Sequence, residues 1–166
     1  KQTISQPYIV AKMTQYLISH TSKRGKVFDR ILEIGSGCGY QSAVLSYFAK
    51  EVFAVERIKP LVIKSRENLR ELKLRNISVK HADGYEGWGV SEKFDGIICA
   101  AAPKEYPEDL LEFLEVGGKL VIPVGFENKQ KLFVITKASK AEYKEEIYED
   151  VAFVPMLSGT SNGEIK

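Results

Sequence analysis

Three glycines at alternate positions, Gly35, Gly37 and Gly39, follow the acid-containing apolar run Leu32-Glu33-Ile34. Val27-Phe28 and Ile31-Leu32 lead into them, and a helix-period segment begins at Tyr40. A strand that stops at glycines and turns at once into a helix brings bare backbone against a ligand. What the loop lacks is equally informative. A dinucleotide fingerprint needs a glycine at its sixth position, where this chain has Tyr40. A Walker loop ends in Gly-Lys-Ser/Thr, and no lysine follows here until Lys50. The loop therefore matches neither phosphate cradle.

The rest of the chain alternates in period. Ser5 precedes Pro7 as a helix cap, and Ile9, Met13 and Leu17 recur at helical spacing. Val27 to Ile34 reads as the first strand. Tyr40, Ala43, Val44, Tyr47 and Phe48 form an apolar stripe on the helix after it. Glu51 to Glu56 reads as a buried strand ending in an acid. Pro60 to Leu74 reads as an amphipathic helix with Leu61, Val62, Ser65, Leu69 and Leu72 on one face. Ile77 to His81 and Phe94 to Ala100 are further strands. Pro107-Glu108-Asp109 opens a helix that Gly117-Gly118 is expected to close. Leu120 to Val124, Lys131 to Lys137 and Glu145 to Val154 finish the chain as strands with no helix between the last two. The expected fold is α/β, a doubly wound, mostly parallel sheet with a C-terminal antiparallel hairpin. Residues 1–157 are expected to form a single domain and the polar residues 158–166 a frayed tail.

Composition bounds the function loosely. At 166 residues the chain can bury one core. A net charge of +2 is too mild to point to nucleic acid. The basic residues Arg57, Lys59, Lys64, Arg66, Arg70, Lys73 and Arg75 fall mainly on one helix and read as a solvated face. No apolar run approaches the ~18 residues of a membrane span. Cys38 and Cys99 form no disulfide framework, which suits a reducing cytoplasm. Nothing in the composition sets an oligomeric state, and a monomer is the simplest expectation.

An acid at the strand end followed by G-x-G-x-G resembles the first motif of Rossmann-like S-adenosylmethionine methyltransferases. In such an open sheet the ligand sits outside the carboxyl ends of the strands, at the switch point beside the first strand. Glu56 ends the second strand about twenty positions after Gly35, where an acid grips ribose hydroxyls. A surface Glu paired with Arg57 is the simpler alternative. Asp83-Gly84 ends the third strand, where a carboxylate could accept the adenine amino group or merely make an Asp-Gly turn. Glu33 either faces the methionine amino group or braces the loop. His20 and His81 have no triad or metal partners at readable spacing and read as structural. Trp88 reads as loop packing. Ala100-Ala101-Ala102-Pro103 follows the fourth strand, where amino-group methyltransferases resemble one another in carrying Asn or Asp, then Pro-Pro and an aromatic. A nitrogen acceptor is thereby disfavoured.

Several runs together carry a more specific resemblance: Thr3-Ile4-Ser5-Gln6-Pro7-Tyr8, Leu32 to Gln41, Val55-Glu56-Arg57-Ile58, Asp83-Gly84-Tyr85-Glu86-Gly87-Trp88, Ala101-Ala102-Pro103, Pro123-Val124-Gly125 and Phe153-Val154-Pro155. In this order they resemble the protein-L-isoaspartate O-methyltransferases over nearly the whole chain. The resemblance implies S-adenosylmethionine as cofactor, with S-adenosylhomocysteine as product, and isoaspartyl-containing proteins and peptides as partners. Methylation of the free carboxylate would start repair through a succinimide. It implies Ser5 as the active-site serine, with Thr3, Ile4, Val154 and Pro155 beside the bound peptide. The cofactor would meet Glu33, Gly35, Ser36, Gly37, Gly39, Glu56, Arg57, Asp83 and Gly84, with no metal. Family members carry some tens of residues ahead of the Gln-Thr-Ile-Ser run, so one wall of the substrate cleft is expected to lie outside this chain. Met156-Leu157-Ser158 departs from the commoner ending. The alternative is another Rossmann-like O-methyltransferase acting on a small molecule or RNA.

Overall fold

The computed structural model describes residues 4–19, 28–89, 91–126 and 129–163, and Thr3, His20 and Val27 lie outside these. Seven strands form one sheet in the order β3-β2-β1-β4-β5-β6-β7. They are β1 (Phe28–Ile34), β2 (Ala49–Glu56), β3 (Ile77–His81), β4 (Phe94–Cys99), β5 (Leu114–Phe126), β6 (Lys129–Lys137) and β7 (Tyr143–Val151). The helices are α1 (Pro7–Ile18), α2 (Tyr40–Leu45), α3 (Lys59–Glu71) and α4 (Asp109–Glu112). β1 pairs in parallel with both β2 and β4, whereas β5, β6 and β7 are joined antiparallel. The chain steps outward from β1 to β3 and then crosses back to β4, so the switch point lies between β1 and β4. The doubly wound sheet with its C-terminal hairpin is the expected one.

The central strands are covered on both faces, which explains why neighbouring positions such as Ile31-Leu32 of β1 and Ile97-Ile98 of β4 are both apolar. Leu32, Ile34, Ile97 and Cys99 pack with Leu110, Phe113 and Met156. Ile31, Val52 and Ile98 meet Met13 and Leu17 of α1 on the other side. Gly96 allows the α1 contact, because a Cβ there would lie 2.9 Å from Leu17 Cδ1.

The structure corrects several local expectations. The N-cap of α1 is Gln6 and makes no side-chain cap bond, so Ser5 is not a helix cap. α2 is only six residues long and buries Gln41, Ser42 and Leu45, while Tyr47 of the expected stripe is 71% exposed. Two of those three buried residues are polar, so hydrophobicity alone could not find the face. Leu72 is likewise exposed, just beyond α3. Gly117 and Gly118 do not close a helix. They lie inside β5, where its pairing slips from Phe94↔Leu114 to Gly96↔Lys119. A Cβ at Gly118 would lie 2.9 Å from the Glu115 carbonyl oxygen, so the irregularity demands glycine. Residues 158–163 are not frayed. Ser161 N–H donates to Arg57 O at 2.6 Å and Lys59 N–H to Ser161 O at 2.9 Å, laying this segment across the end of β2. Among the described residues no helix is long and apolar enough to cross a membrane.

Candidate functional site

The glycine loop is fixed from both sides by backbone. Gly35 N–H donates to Val55 O at 2.8 Å, and Ala100 N–H to Ile34 O at 2.8 Å, which ties the ends of β1, β2 and β4 together. Gly35 (φ 85°) and Gly37 (φ 52°) adopt left-handed backbone that disfavours any side chain. At Gly37 space is not the reason, since a Cβ would meet nothing within 4 Å.

Glu56 holds this turn. Its Oε2 accepts from Gly37 N–H at 3.0 Å and its Oε1 from Ile58 N–H at 2.9 Å. The side chain is 6% exposed and makes no ion pair with Arg57, so the surface-pair alternative fails. Arg57 points elsewhere: its Nε donates to Gly159 O at 3.0 Å. His81 Nε2 lies 3.0 Å from Arg57 O, a structural contact as expected. Trp88 packs edge-on against Phe53, 5.0 Å between ring centres, also as expected.

Glu33 is the electrostatic centre of the site. It is fully buried, and Ser42 Oγ donates to its Oε2. Its Oε1 has no partner, nor does the buried Ser36 hydroxyl. Burial pushes the Glu33 carboxyl up to about 8, the nearby Glu56 charge adds to this, and the Ser42 bond opposes it. An orphaned buried carboxylate oxygen costs free energy unless a donor arrives. A cationic donor group suits it best. The Cys99 thiol, pushed up to about 12 by burial, stays neutral and donates toward Ala101 O.

One cleft gathers most of the expected residues. Ile4, Ser5, Glu33, Gly35, Ser36, Gly37, Glu56, Arg57, Gly84, Val154 and Pro155 all line it. Ala102 pairs with Pro155, and Ala102 N–H donates to Val154 O while Met156 N–H donates to Ala102 O, both at 2.8 Å. The loop after β4 and residues 154–156 therefore form one wall. No histidine or lysine lines the cleft among the described residues. Two expected residues stand outside the lining. Gly39 caps α2 and sits where a Cβ would lie 3.2 Å from Leu69 Cγ, so it serves helix packing. Asp83 caps the 3-10 turn Gly84–Glu86 by accepting from Tyr85 N–H at 2.9 Å, and it also accepts from Gly159 N–H. Thr3 lies outside the described residues. Gln41, Leu61, Met156 and Leu157 also line the cleft and went unseen in the sequence. Only long-range pairing brings the last two there.

Known proteins share both sequence and fold. The family model described as protein-L-isoaspartate(D-aspartate) O-methyltransferase matches residues 1–161. A protein-L-isoaspartate O-methyltransferase of Methylobacillus flagellatus is 52% identical, over 96% of this chain and 70% of the relative. One from a Janthinobacterium species is 50% identical, over 96% of this chain and 53% of its own length. A crystal structure from Plasmodium falciparum, named as a protein-L-isoaspartate O-methyltransferase in complex with S-adenosyl-L-homocysteine, superposes with a TM-score of 0.74. It is 30% identical and covers 93% of this chain and 76% of its own.

Proposed function

The chain belongs to the protein-L-isoaspartate(D-aspartate) O-methyltransferase family, and on that premise we propose that it methylates the free carboxylate of L-isoaspartyl residues in damaged proteins. S-adenosylmethionine, when bound, supplies a methyl group activated by its sulfonium. The cleft fits that molecule: the unpartnered Glu33 Oε1 and Ser36 Oγ suit its ammonium group. Glu56 faces the cleft from the end of β2, where ribose hydroxyls would lie, and Arg57 and Gly84 border it. Gly35 and Gly37 keep the loop backbone close, and Gly39 seats α2 behind it. Asp83, whose carboxylate retains free lone pairs, stands beside Gly84 for the adenine amino group.

The observation that carries the reading is a cleft holding Ser5 and the glycine loop but no histidine or lysine among its described lining. A carboxylate acceptor is ionised near neutral pH and needs no general base. Ser5, which has no hydrogen-bond partner among the described residues, is free to donate its hydroxyl to that carboxylate and aim it. Ile4, Val154 and Pro155 flank the peptide, with Thr3 next in sequence. Opposite charges cancel as the methyl moves, so alignment in a dry cleft supplies most of the acceleration. In the resulting ester the neighbouring backbone amide nitrogen can attack the ester carbonyl and expel methanol to close a succinimide, which water reopens in part as normal aspartyl. A single domain that also takes in residues 158–163, held against the end of β2, working as a monomer in the reducing cytoplasm, completes the proposal; both cysteines are free. The test is methyl-ester formation on paired peptides differing only in isoaspartyl against aspartyl. Ester on the isoaspartyl peptide alone is expected, and equal labelling of both would overturn the reading.

A further inference from the structure

α2 buries three residues, and the two polar ones are both spent on bridges. Ser42 reaches Glu33 under the cofactor loop. Gln41 reaches the other way: its Nε2 donates to Thr14 Oγ1 of α1 at 2.9 Å. Both partners are buried, Gln41 7% and Thr14 4% exposed. Thr14 Oγ1 in turn donates to Val10 O at 2.8 Å, and Val10 N–H returns to Gln6 O at 3.1 Å, beside Ser5. Gln41, Val10 and Ser5 all line the cleft. The start of α1 has no side-chain cap to hold it. A continuous chain of hydrogen bonds thus runs from the helix that follows the glycine loop to the residue before which Ser5 sits.

We propose that Gln41 is a positioning residue for methyl transfer, its hydrogen bond to Thr14 carrying cofactor occupancy of the glycine loop to α1 and so to Ser5. One turn further along α2, Leu45 is buried as an apolar residue, whereas Gln41 is buried as an amide bonded to Thr14. A buried amide aimed at a buried hydroxyl fixes register as well as contact, because hydrogen bonds are directional and hydrophobic contacts are not. The inference rests on the methyltransferase reading given above, yet its physical readout does not need turnover.

The test compares the parent with Gln41→Leu, Thr14→Val, their double variant and Thr14→Ser, each with and without S-adenosylhomocysteine. In the parent, ligand is expected to slow hydrogen exchange across Pro7–Ile18 at least threefold. Thr14→Val, whose residue does not line the cleft, should bind S-adenosylhomocysteine within threefold of the parent, and both it and Gln41→Leu should lose that protection, with kcat on isoaspartyl peptide down at least fivefold. The double variant should be no slower than the slower single, and Thr14→Ser, which keeps the hydroxyl, should recover the parental response. Parental protection and kcat in Gln41→Leu would overturn the proposal. So would losses in kcat matched by equal losses in ligand affinity, or losses that multiply in the double variant. Should an apolar variant fail to fold, Gln41→Asn, whose amide is one methylene too short, carries the same comparison. A parent that shows Gln41-dependent protection but makes no isoaspartyl ester would refute the proposed substrate and uphold the link.

Discussion

Glu33→Gln isolates the charge at the heart of the site. Burial raises the Glu33 carboxyl from 4.5 to about 8, so the folded chain without ligand holds a proton there that the unfolded chain releases. The folded state binds more protons between these values, and stability falls as pH rises through them. The contribution is complete below about pH 4.5 and lost by about pH 8. One pKa unit is worth ~1.4 kcal/mol, so the parent should lose up to about 1.4 kcal/mol per pH unit relative to Glu33→Gln in that window. For a domain of this size that is about 3–5 °C of midpoint per unit. Thermal melts of both proteins at pH 5.5, 6.5 and 7.5 read it directly. The ligand reverses the preference, because an ammonium group at Oε1 favours the ionised carboxylate. Affinity for S-adenosylhomocysteine should therefore tighten by up to about tenfold per unit from pH 6 to 7, with a proton released to buffer, and level off as pH passes the Glu33 value of about 8. Calorimetry in buffers of different ionisation enthalpy counts that proton. Parallel melting profiles for parent and Glu33→Gln, or identical proton release, would refute the reasoning.

Four further outcomes are expected. Ser5→Ala should methylate isoaspartyl peptide at least roughly tenfold more slowly, ~1.4 kcal/mol in the barrier, with cofactor affinity and melting point unchanged because Ser5 caps nothing. A drop in stability matching the lost rate would remove Ser5 from catalysis. Glu56→Ala strands the Gly37 and Ile58 amides and should weaken S-adenosylhomocysteine by about 1–3 kcal/mol in calorimetry. Asp83→Ala should weaken the adenosine ligand more than its inosine analogue, whereas equal weakening would assign Asp83 to bracing Tyr85 and Gly159 alone. Gly84→Ala places a Cβ 2.5 Å from Ile34 Cγ2 and 3.2 Å from Met156 Cε, and urea titration should show a loss of about 1–3 kcal/mol.

The sequence by itself determined the elements that local physics controls. Apolar runs ending in glycine or acid located β1 and β2, and the spacing of Gly35 and Glu56 pointed to two strand ends at one cleft, which both line. The Ile4-Ser5 and Val154-Pro155 runs supplied the cleft's other wall. These features are legible because strand burial, left-handed glycine backbone and ligand chemistry each constrain residue type at a fixed position. Only the tertiary structure decided which face of α2 is buried. Gln41 and Ser42 look solvent-facing by hydropathy, and they point inward because Thr14 and Glu33, distant in the chain, wait there. Gly117-Gly118 carries the same composition as a helix stop, but pairing with β4 turns it into a strand irregularity. The polar stretch around Gly159 and Ser161 has no local reason to be ordered. It is held by Asp83 and Arg57, whose unpaired groups at the strand ends exist only once the sheet has formed.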